Sequence, residues 1–336
     1  MRNLAIIQIL FIVFLLIQSC GTVEQRSPRS VGATSEILVV TQSPEQWAGV
    51  QGTAIREFFG QFQYGLPQDE PLFKLVNITV ENLSDMFKKH RNILIIENNQ
   101  NLQEAVVETR SDLWAKPQRV IKIIAASPDE WIEAFDANKE GLKILFERTE
   151  RERLLNIFRP TTNTSLVDEL NKHMGIRMTI PEGFYMAKKE ENFAWIRKEA
   201  IDFSQALMIW SLPYRDTFDL NPSRLIAVRD SIVQKHIPGP SSGSFMSTEK
   251  EFLPPYIIRT DQYVTDFAVE VRGMWNVVGD FMAGPFLSYT IIDESTGKLL
   301  TVEGYVYAPN KDKRDYLRQL EAILYSLKIN QLEVTE

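Results

Sequence analysis

Cys20 is the residue whose type and position indicate the most definite chemistry, and it is the chain's one cysteine. Ile17 stands three positions before it, Ser19 directly before it and Gly21 directly after it. This spacing is typical of a lipobox, in which the thiol accepts a diacylglyceryl group and a peptidase cuts before the cysteine. Because the sequence has no second thiol, it excludes an internal disulfide and a cysteine-based metal site.

The segment before Cys20 has the pattern of an export signal. Arg2 gives a positive start, and the apolar run over residues 4–17 is interrupted only by Gln8. This run is shorter than the ~20 residues needed to cross a bilayer, and its length suits a signal-peptide core. We therefore expect a signal peptide over residues 1–19 and membrane attachment through lipid, such as palmitate, on Cys20.

The residues after Cys20 bear on where the protein is anchored. Residues 20–35 are polar and lack periodicity, which predicts a flexible tether between the lipid and the folded part. Gly21 differs from the acidic residue that retains some lipoproteins at an inner membrane. The expected location is therefore the cell envelope, at the outer membrane.

Residues 272–286 form the best candidate for a binding site away from Cys20. They include Arg272, Trp275 and Asp280, followed by the pair Gly284-Pro285. An exposed tryptophan beside an arginine and an aspartate would bind a peptide or a sugar through stacking and charge-assisted hydrogen bonds. In the alternative interpretation, Trp275 belongs to the core and Gly284-Pro285 shapes the start of a strand.

Trp114 and Lys116 form a second candidate contact, on a loop that precedes a predicted strand. A tryptophan in such a loop is either a recognition residue or a plug at the edge of a domain, and the sequence leaves both open.

Several classes of function are disfavoured by composition and by missing motifs. The formal net charge of −7 repels phosphate backbones, so no nucleic-acid partner is expected. The three histidines His90, His173 and His236 lie far apart, which predicts no metal site. The sequence contains no P-loop, no G-x-G-x-x-G and no G-x-S-x-G, so we expect no cofactor and identify no catalytic residue.

The pattern of the amino-terminal part predicts an α/β domain over residues 36–160. Short buried strands are expected at residues 37–40, 73–80, 92–96 and 120–124, because each is a run of aliphatic residues. Helices are expected after Ser43, after Asn82 and from residue 129 to just before Pro160.

Two of these helix starts repeat a pattern. Ser43-Pro44-Glu45-Gln46-Trp47 and Ser127-Pro128-Asp129-Glu130-Trp131 each follow a predicted strand. The echo indicates either a duplicated βα unit or the recurrence of a good capping sequence, and in both cases each tryptophan is expected in the core.

The carboxy-terminal part, residues 164–330 after a polar break at residues 161–164, predicts an α+β sandwich with a mainly antiparallel sheet. Strands are expected at residues 176–180, 184–188, 193–197, 206–210, 267–271, 286–292 and 299–307, with a hairpin turn at residues 293–297. Asn221-Pro222 predicts a helix start, residues 239–255 a long loop, and the leucines at 317, 320, 324 and 327 a last helix with one apolar face.

Several short motifs, spread through both parts, resemble one family. They are Phe73-Lys74-Leu75-Val76-Asn77, His90-Arg91-Asn92-Ile93-Leu94, Trp114-Ala115-Lys116-Pro117-Gln118, Gly273-Met274-Trp275-Asn276, residues 280–286 and the block from Tyr305 to Tyr325. Together they resemble the lipoproteins of Bacteroidota catalogued as domain-of-unknown-function family 4837, over nearly the whole mature chain. The resemblance implies an envelope lipoprotein and assigns no functional residue.

The function expected from the sequence is binding. The leading hypothesis is a lipid-anchored, non-enzymatic binding or assembly module with a protein partner in the envelope. The alternatives are a binder of a small ligand or glycan through the Trp275 region, and an enzyme whose site the sequence does not reveal.

Overall fold

Runs of Val, Ile and Leu form the amino-terminal sheet in the computed structural model, which describes residues 27–330. Its strands are β1 (Glu36–Thr41), β2 (Lys74–Thr79), β3 (Asn92–Asn98), β4 (Val106–Ser111) and β5 (Arg119–Ala125). The spatial order is β2-β1-β3-β5-β4, and all neighbouring pairs are parallel except β4 with β5. The prediction of an α/β domain is confirmed.

Three helices cover one face of this sheet: α1 (Pro44–Ala48), α2 (Val50–Phe59) and α3 (Pro128–Phe158). The predicted starts of α1 and α3 are confirmed, since Ser43 accepts from the amide of Gln46 and Ser127 from that of Glu130. The helix expected after Ser43 is divided into α1 and α2, because Gly49 between them adopts an extended backbone.

The tryptophans of the two echoed motifs have different surroundings. Trp131 is in the core, where its ring stacks on Phe135 at 5.1 Å and its Nε1 donates to the carbonyl of Ile123. Trp47 is only partly buried, and the guanidinium of Arg56 lies 4.6 Å from its ring centroid. The expectation that both tryptophans are core residues is therefore correct only for the second.

The opposite face of the sheet has no α-helix within residues 27–330. The helix expected after Asn82 is replaced by two single 3₁₀ turns, Val80–Asn82 and Phe87–Lys89. Residues 28–35, which were expected to belong to the tether, pack against this domain. The amide of Ser30 donates to the carbonyl of Lys116, and the amide of Val31 donates to that of Lys89.

The carboxy-terminal domain is built on an eight-stranded sheet whose named pairs are all antiparallel. Its path is β10-β12-β13-β14-β9-β8-β7, with β11 also paired to β12. The strands are β7 (Tyr185–Glu190), β8 (Phe193–Glu199), β9 (Ser204–Pro213), β10 (Phe245–Thr248), β11 (Tyr256–Thr260), β12 (Ala268–Val278), β13 (Ala283–Asp293) and β14 (Lys298–Tyr307). The predicted α+β class is confirmed.

Helices lie on both faces of this sheet. Helices α4 (Thr164–Met174) and α6 (Arg314–Leu324) pack on one face, and α5 (Pro222–His236) packs on the other. The predicted leucine stripe of the last helix is confirmed as core.

Two local predictions in this domain are wrong. The strand expected at residues 176–180 is only two residues long, β6 (Ile176–Arg177), and it pairs with β15 (Lys328–Ile329). Strand β10 lies inside the segment that was expected to be a loop. It forms because it pairs with β12, which is longer than predicted.

The loop between α2 and β2 belongs to the amino-terminal domain and packs against the carboxy-terminal domain, so that it joins the two by non-covalent contacts. Leu66 from this loop is buried in the carboxy-terminal core. Beside it, Gly65 (φ +89°) lies so close to β12 that a Cβ atom would stand 3.2 Å from the amide nitrogen of Gly273. The buried carboxylate of Glu70 then accepts from the amides of Lys313 and Arg314, at 2.6 and 2.9 Å, where α6 begins.

Replacing Glu70 by alanine is expected to lower the free energy of unfolding by about 2 kcal/mol, because two amides at the start of α6 lose their acceptor. Urea unfolding followed by circular dichroism measures the change. The neighbouring exposed Asp69 provides the control, and Asp69→Ala should have little effect. Equal stability of Glu70→Ala and wild type would contradict the capping role.

Candidate functional site

Trp275 lies in the carboxy-terminal core, so the expectation that it is exposed is wrong. Its side chain is 2% exposed, its Nε1 donates to the carbonyl of Val306 at 3.3 Å, and its ring meets Tyr305 edge-on. Gly284 is required beside it, because a Cβ atom there would stand 2.1 Å from the carbonyl oxygen of Val306. The alternative interpretation, a core tryptophan with a glycine that shapes the strand, fits this geometry.

The structure does not bring Trp275, Arg272 and Asp280 together. Arg272 and Trp275 are three residues apart on β12, and since strand side chains alternate, they point to opposite faces. Asp280 lies in the turn after β12, where its carboxylate accepts from the amide of Phe281 and from Ser241 Oγ.

Trp114 and Lys116 lie in the amino-terminal domain. Trp114 is partly buried on the helix-free face of the sheet, against Leu38, Val40 and Ile93. Lys116 has an exposed side chain, while its backbone bonds to that of residues 28–30. Neither residue lines the cleft described next.

A cleft of about 630 Å³ opens between the two domains, and Arg272 is one of its lining residues. This volume lies within the usual range of small-molecule sites. From the amino-terminal domain, α3 contributes Lys143, Glu147 and Arg151, which recur every four residues and therefore share one helix face.

The carboxy-terminal domain provides the opposite wall. Glu270 and Arg272 are two residues apart on β12 and so point the same way. Arg318 and Glu321 are three residues apart on α6, beside its buried leucine stripe. Helix α3 and two elements of the other domain thus place acids and bases around one space.

Part of this charge forms a buried network centred on Glu321. Arg272 Nη2 donates to Glu321 Oε1 at 2.7 Å, and Arg272 Nε donates to Glu270. The hydroxyl of Tyr289 donates to the same oxygen of Glu321 at 3.3 Å, and Arg151 Nη1 lies 3.7 Å from it. Such a network fixes the floor of the cleft.

The pKa of Glu321 reflects this arrangement. Burial opposes its ionisation, but the guanidinium groups of Arg272, Arg151 and Arg318 outweigh burial and hold the pKa at about 2. Burial opposes the charge of Arg272 as well, and the carboxylates of Glu270 and Glu321 raise its pKa above the ordinary value. Both groups are charged throughout the neutral range.

Two other groups in the cleft are left with unused hydrogen-bonding capacity. Among the described residues, the carboxyl of Glu147 has no hydrogen bond and no ion pair within 4 Å, and burial raises its pKa. Arg318 donates from Nη2 to the carbonyl of Leu72 at 2.7 Å, whereas its buried Nε has no partner in residues 27–330. Burial also lowers the pKa of Arg318.

Aromatic side chains surround the mouth of the cleft. Phe62 and Tyr64 come from the loop that joins the domains, and Tyr256 comes from β11. The rings of Tyr64 and Tyr256 are 5.7 Å apart and inclined at 54°, and the Tyr64 hydroxyl donates to the carbonyl of Pro254. We call these three residues the aromatic rim; all are exposed, so their rings are available for contact.

A second buried charge cluster, at the amino ends of the parallel strands, is held together by internal contacts. Glu150 accepts from Asn92 Nδ2 at 2.8 Å and from Arg91 Nη1 at 3.0 Å, and it pairs with Arg153. Arg153 Nε also donates to the carbonyl of Pro117. These contacts join α3 to the segments where β3 and β5 begin, so the cluster acts as a structural support, and the Nε of Arg91 is its one buried nitrogen without a partner within residues 27–330.

Within residues 27–330, no group of three or more His, Asp or Glu side chains has a geometry that would hold a metal ion. In the same residues, none of the helices is both long enough and apolar enough to span a bilayer. Cys20 lies outside the described residues.

The sequence contains a partial signal for the cleft. Strand periodicity, with every second residue on one face, relates Tyr256, Ile258 and Thr260 to one another, and Glu270 to Arg272. Helix periodicity relates Glu147 to Arg151. Each pattern taken alone is also typical of a solvated face. Of the cleft residues, sequence reasoning identified Arg272 and missed the others, because they are distant in the chain.

Two family models match the chain, one for each domain. Residues 30–159 match Domain of unknown function (DUF8532), and residues 163–326 match Domain of unknown function (DUF4837). The resemblance to the latter is thus confirmed for the carboxy-terminal part. The expectation that it covers nearly the whole mature chain is wrong, since the motifs at residues 73–77, 90–94 and 114–118 fall in the other match.

Neither the curated proteins nor the solved structures assign a function to this chain. No curated protein matches the chain. One solved structure that matches is described as the crystal structure of LpqN, involved in cell envelope biogenesis of Mycobacterium tuberculosis. It is 12% identical, with a TM-score of 0.27, and the match covers 46% of this chain and 83% of that one. The chain thus resembles the family described as Domain of unknown function (DUF4837), whose model matches residues 163–326, and this match assigns no activity.

Proposed function

We propose that this protein is a lipid-anchored envelope protein that binds a small polar ligand or glycan in the cleft between its domains. The observation that carries the proposal is the convergence of guanidinium and carboxyl groups from both domains in a space of about 630 Å³, beneath the aromatic rim. A mostly preformed concave site with a few directed polar groups is what ligand recognition requires. The lipid anchor is supported by the sequence around Cys20.

Two features favour binding over catalysis. Catalysis by a pair of carboxyl groups requires one of them to be free to transfer a proton or attack. Glu321 is instead held by Arg272 and Tyr289. Among the described carboxyl groups of the cleft, Glu147 alone is unpaired. One free carboxyl group without a partner base favours binding of a ligand over acid–base catalysis.

The alternative to a small ligand is a protein partner, and the geometry of the aromatic rim distinguishes between the two. Assembly surfaces are commonly broad and apolar at their centre. Here the exposed rings of Phe62, Tyr64 and Tyr256 surround a charged depression, which suits a ligand that enters the cleft better than a flat partner surface.

The anchor is tested by replacing Cys20 with alanine. We expect the variant to fold but to lose acylation, because no other thiol in the sequence can accept the lipid. Metabolic labelling with palmitate and fractionation of the envelope measure both properties, with Ser19→Ala as the control that keeps the thiol and a small residue before it. A Cys20→Ala protein that is still labelled would disprove the anchor.

Ligand binding is tested by a thermal-shift screen of the purified protein against saccharides, amino acids and short peptides. A ligand of the cleft should raise the unfolding temperature, because it binds only the folded state. Tyr256→Ala should weaken binding of that ligand by about three- to tenfold, the usual scale of one aromatic contact. Phe281→Ala is the matched control, since Phe281 is 95% exposed and lies outside the cleft. Equal weakening by both variants, or no binding at all, would contradict the proposal.

A further inference from the structure

We infer that the ligand of the interdomain cleft is a carbohydrate without net charge. This inference rests on the proposed function and specifies the chemistry of the same site.

Glu147 on α3 and Arg318 on α6 line the same space from different domains. The carboxyl of Glu147 has no partner among the described residues, whereas Arg318 is held by its Nη2 bond to Leu72 and its unpartnered Nε is buried. A ligand in this space therefore has to donate or accept at Glu147, and a group of it that contacts the Arg318 guanidinium has to accept. A hydroxyl group does both, and neighbouring hydroxyls on one ring reach two such partners at once.

The aromatic rim bears on the shape of the ligand. The inclined rings of Tyr64 and Tyr256, with Phe62 beside the same opening, offer flat apolar faces above a charged floor. A ligand that fits must therefore have an apolar face as well as polar edges. A sugar ring has both, since its axial C–H groups form a flat apolar face and its hydroxyls project from the edge.

The formal charges of the side chains that line the cleft are balanced. The ionisable side chains that line the cleft are four acids and four bases: Glu140, Glu147, Glu270, Glu321, Lys143, Arg151, Arg272 and Arg318. Neither an anion nor a cation gains from the net charge of such a lining. The charges of Arg272 and Glu321 are already used on each other, at 2.7 Å. A neutral ligand with many hydroxyls is the class that this lining favours over ions.

The inference is tested by calorimetric titration of the folded protein with neutral oligosaccharides of glucose, mannose and N-acetylglucosamine, in 50 and 500 mM NaCl. We expect at least one of them to bind, with a Kd that changes less than about twofold between the salts, because screening acts on charges. Binding of only charged amino acids or peptides would overturn the carbohydrate inference and leave the proposed binding function intact. Absence of any ligand would overturn both.

Variants of Glu147 provide a second test of the carbohydrate inference. Glu147→Ala should weaken saccharide binding about tenfold, whereas Glu147→Gln should stay within about threefold, because the amide still bonds to a hydroxyl. Glu152→Ala, an exposed residue on the same helix, is the control and should bind like wild type. A loss in Glu147→Gln as large as in Glu147→Ala would show that the carboxylate charge is recognised, and would overturn the inference. Circular dichroism verifies that each variant is folded.

Discussion

Replacing Arg229 by alanine is expected to lower the free energy of unfolding by about 3–5 kcal/mol, the usual result of removing one partner of a buried ion pair. Arg229 Nη2 and Nε contact the two oxygens of Glu303 at 2.7 and 2.9 Å, and Nη1 donates to Thr248 Oγ1 at 2.8 Å. The guanidinium also lies 3.7 Å from the ring centroid of Phe286. Without it, Glu303 would remain in the core with no positive partner.

The burial of this pair explains why the loss is large. Both side chains are almost inaccessible to solvent, and burial raises the pKa of Glu303 even with Arg229 beside it. A carboxylate that is already costly to ionise cannot tolerate the loss of its counterion. The alanine variant would also leave a cavity beneath α5.

Equilibrium unfolding in urea measures this effect, and two controls isolate it. Lys235→Ala removes an exposed cation from the same helix and should change stability by less than about 0.5 kcal/mol. The double variant Arg229→Met with Glu303→Leu removes both charges and should recover most of the lost stability. If the double variant is as unstable as Arg229→Ala, packing dominates over the uncompensated charge.

Replacing Arg272 by methionine is expected to have a similarly large effect, about 3–5 kcal/mol, because it removes the shared partner of Glu270 and Glu321. Methionine retains much of the side-chain volume, so the change reports mainly on charge. Thermal unfolding at pH 7 measures it. Arg197→Met is the control: it replaces an arginine whose side chain is about one-third exposed, and stability should change little.

The same variant should alter the dependence of stability on pH. The folded-state pKa of Glu321 is about 2, below its ordinary value of 4.5. Its contribution, about 3 kcal/mol, is therefore fully present above pH 4.5 and is lost as the pH falls from 4.5 to about 2. Because Arg272 is the largest cause that lowers this pKa, Arg272→Met should reduce or abolish that acid-dependent loss. A parallel profile for variant and wild type would contradict this account.

The local elements of this protein follow from short-range signals in the sequence. The caps at Ser43, Ser127 and Asn221 were predictable because each side chain satisfies amides within three residues of itself. The leucine stripe at residues 317–327 was predictable from helix periodicity. These signals were enough for the fold class of both domains, because patterning largely decides where the apolar faces lie.

Signals that depend on a neighbouring strand were not available from the sequence. Strand β10 is short and lies among Pro, Ser and Gly residues, and only its pairing with β12 makes it a strand. The full length of β12 and β13 was missed for the same reason, and the sequence therefore left open whether Trp275 is a core or an exposed residue. The local sequence of a tryptophan near an arginine and an aspartate does not distinguish a buried central strand from an exposed one.

The predicted lipid anchor and the candidate binding site therefore depend on different levels of structure. The lipobox around Cys20 can be read from consecutive residues, since the enzymes that recognise it act on an extended segment, and it remains a prediction from sequence alone. The cleft is a product of tertiary structure. It is lined by residues 62–64, 143–151, 256–272 and 318–321, which are distant in the chain. They meet because contacts between the domains, among them those of Leu66, Glu70 and Arg318, hold the two domains together. The pKa of Glu321 likewise depends on arginines from both domains.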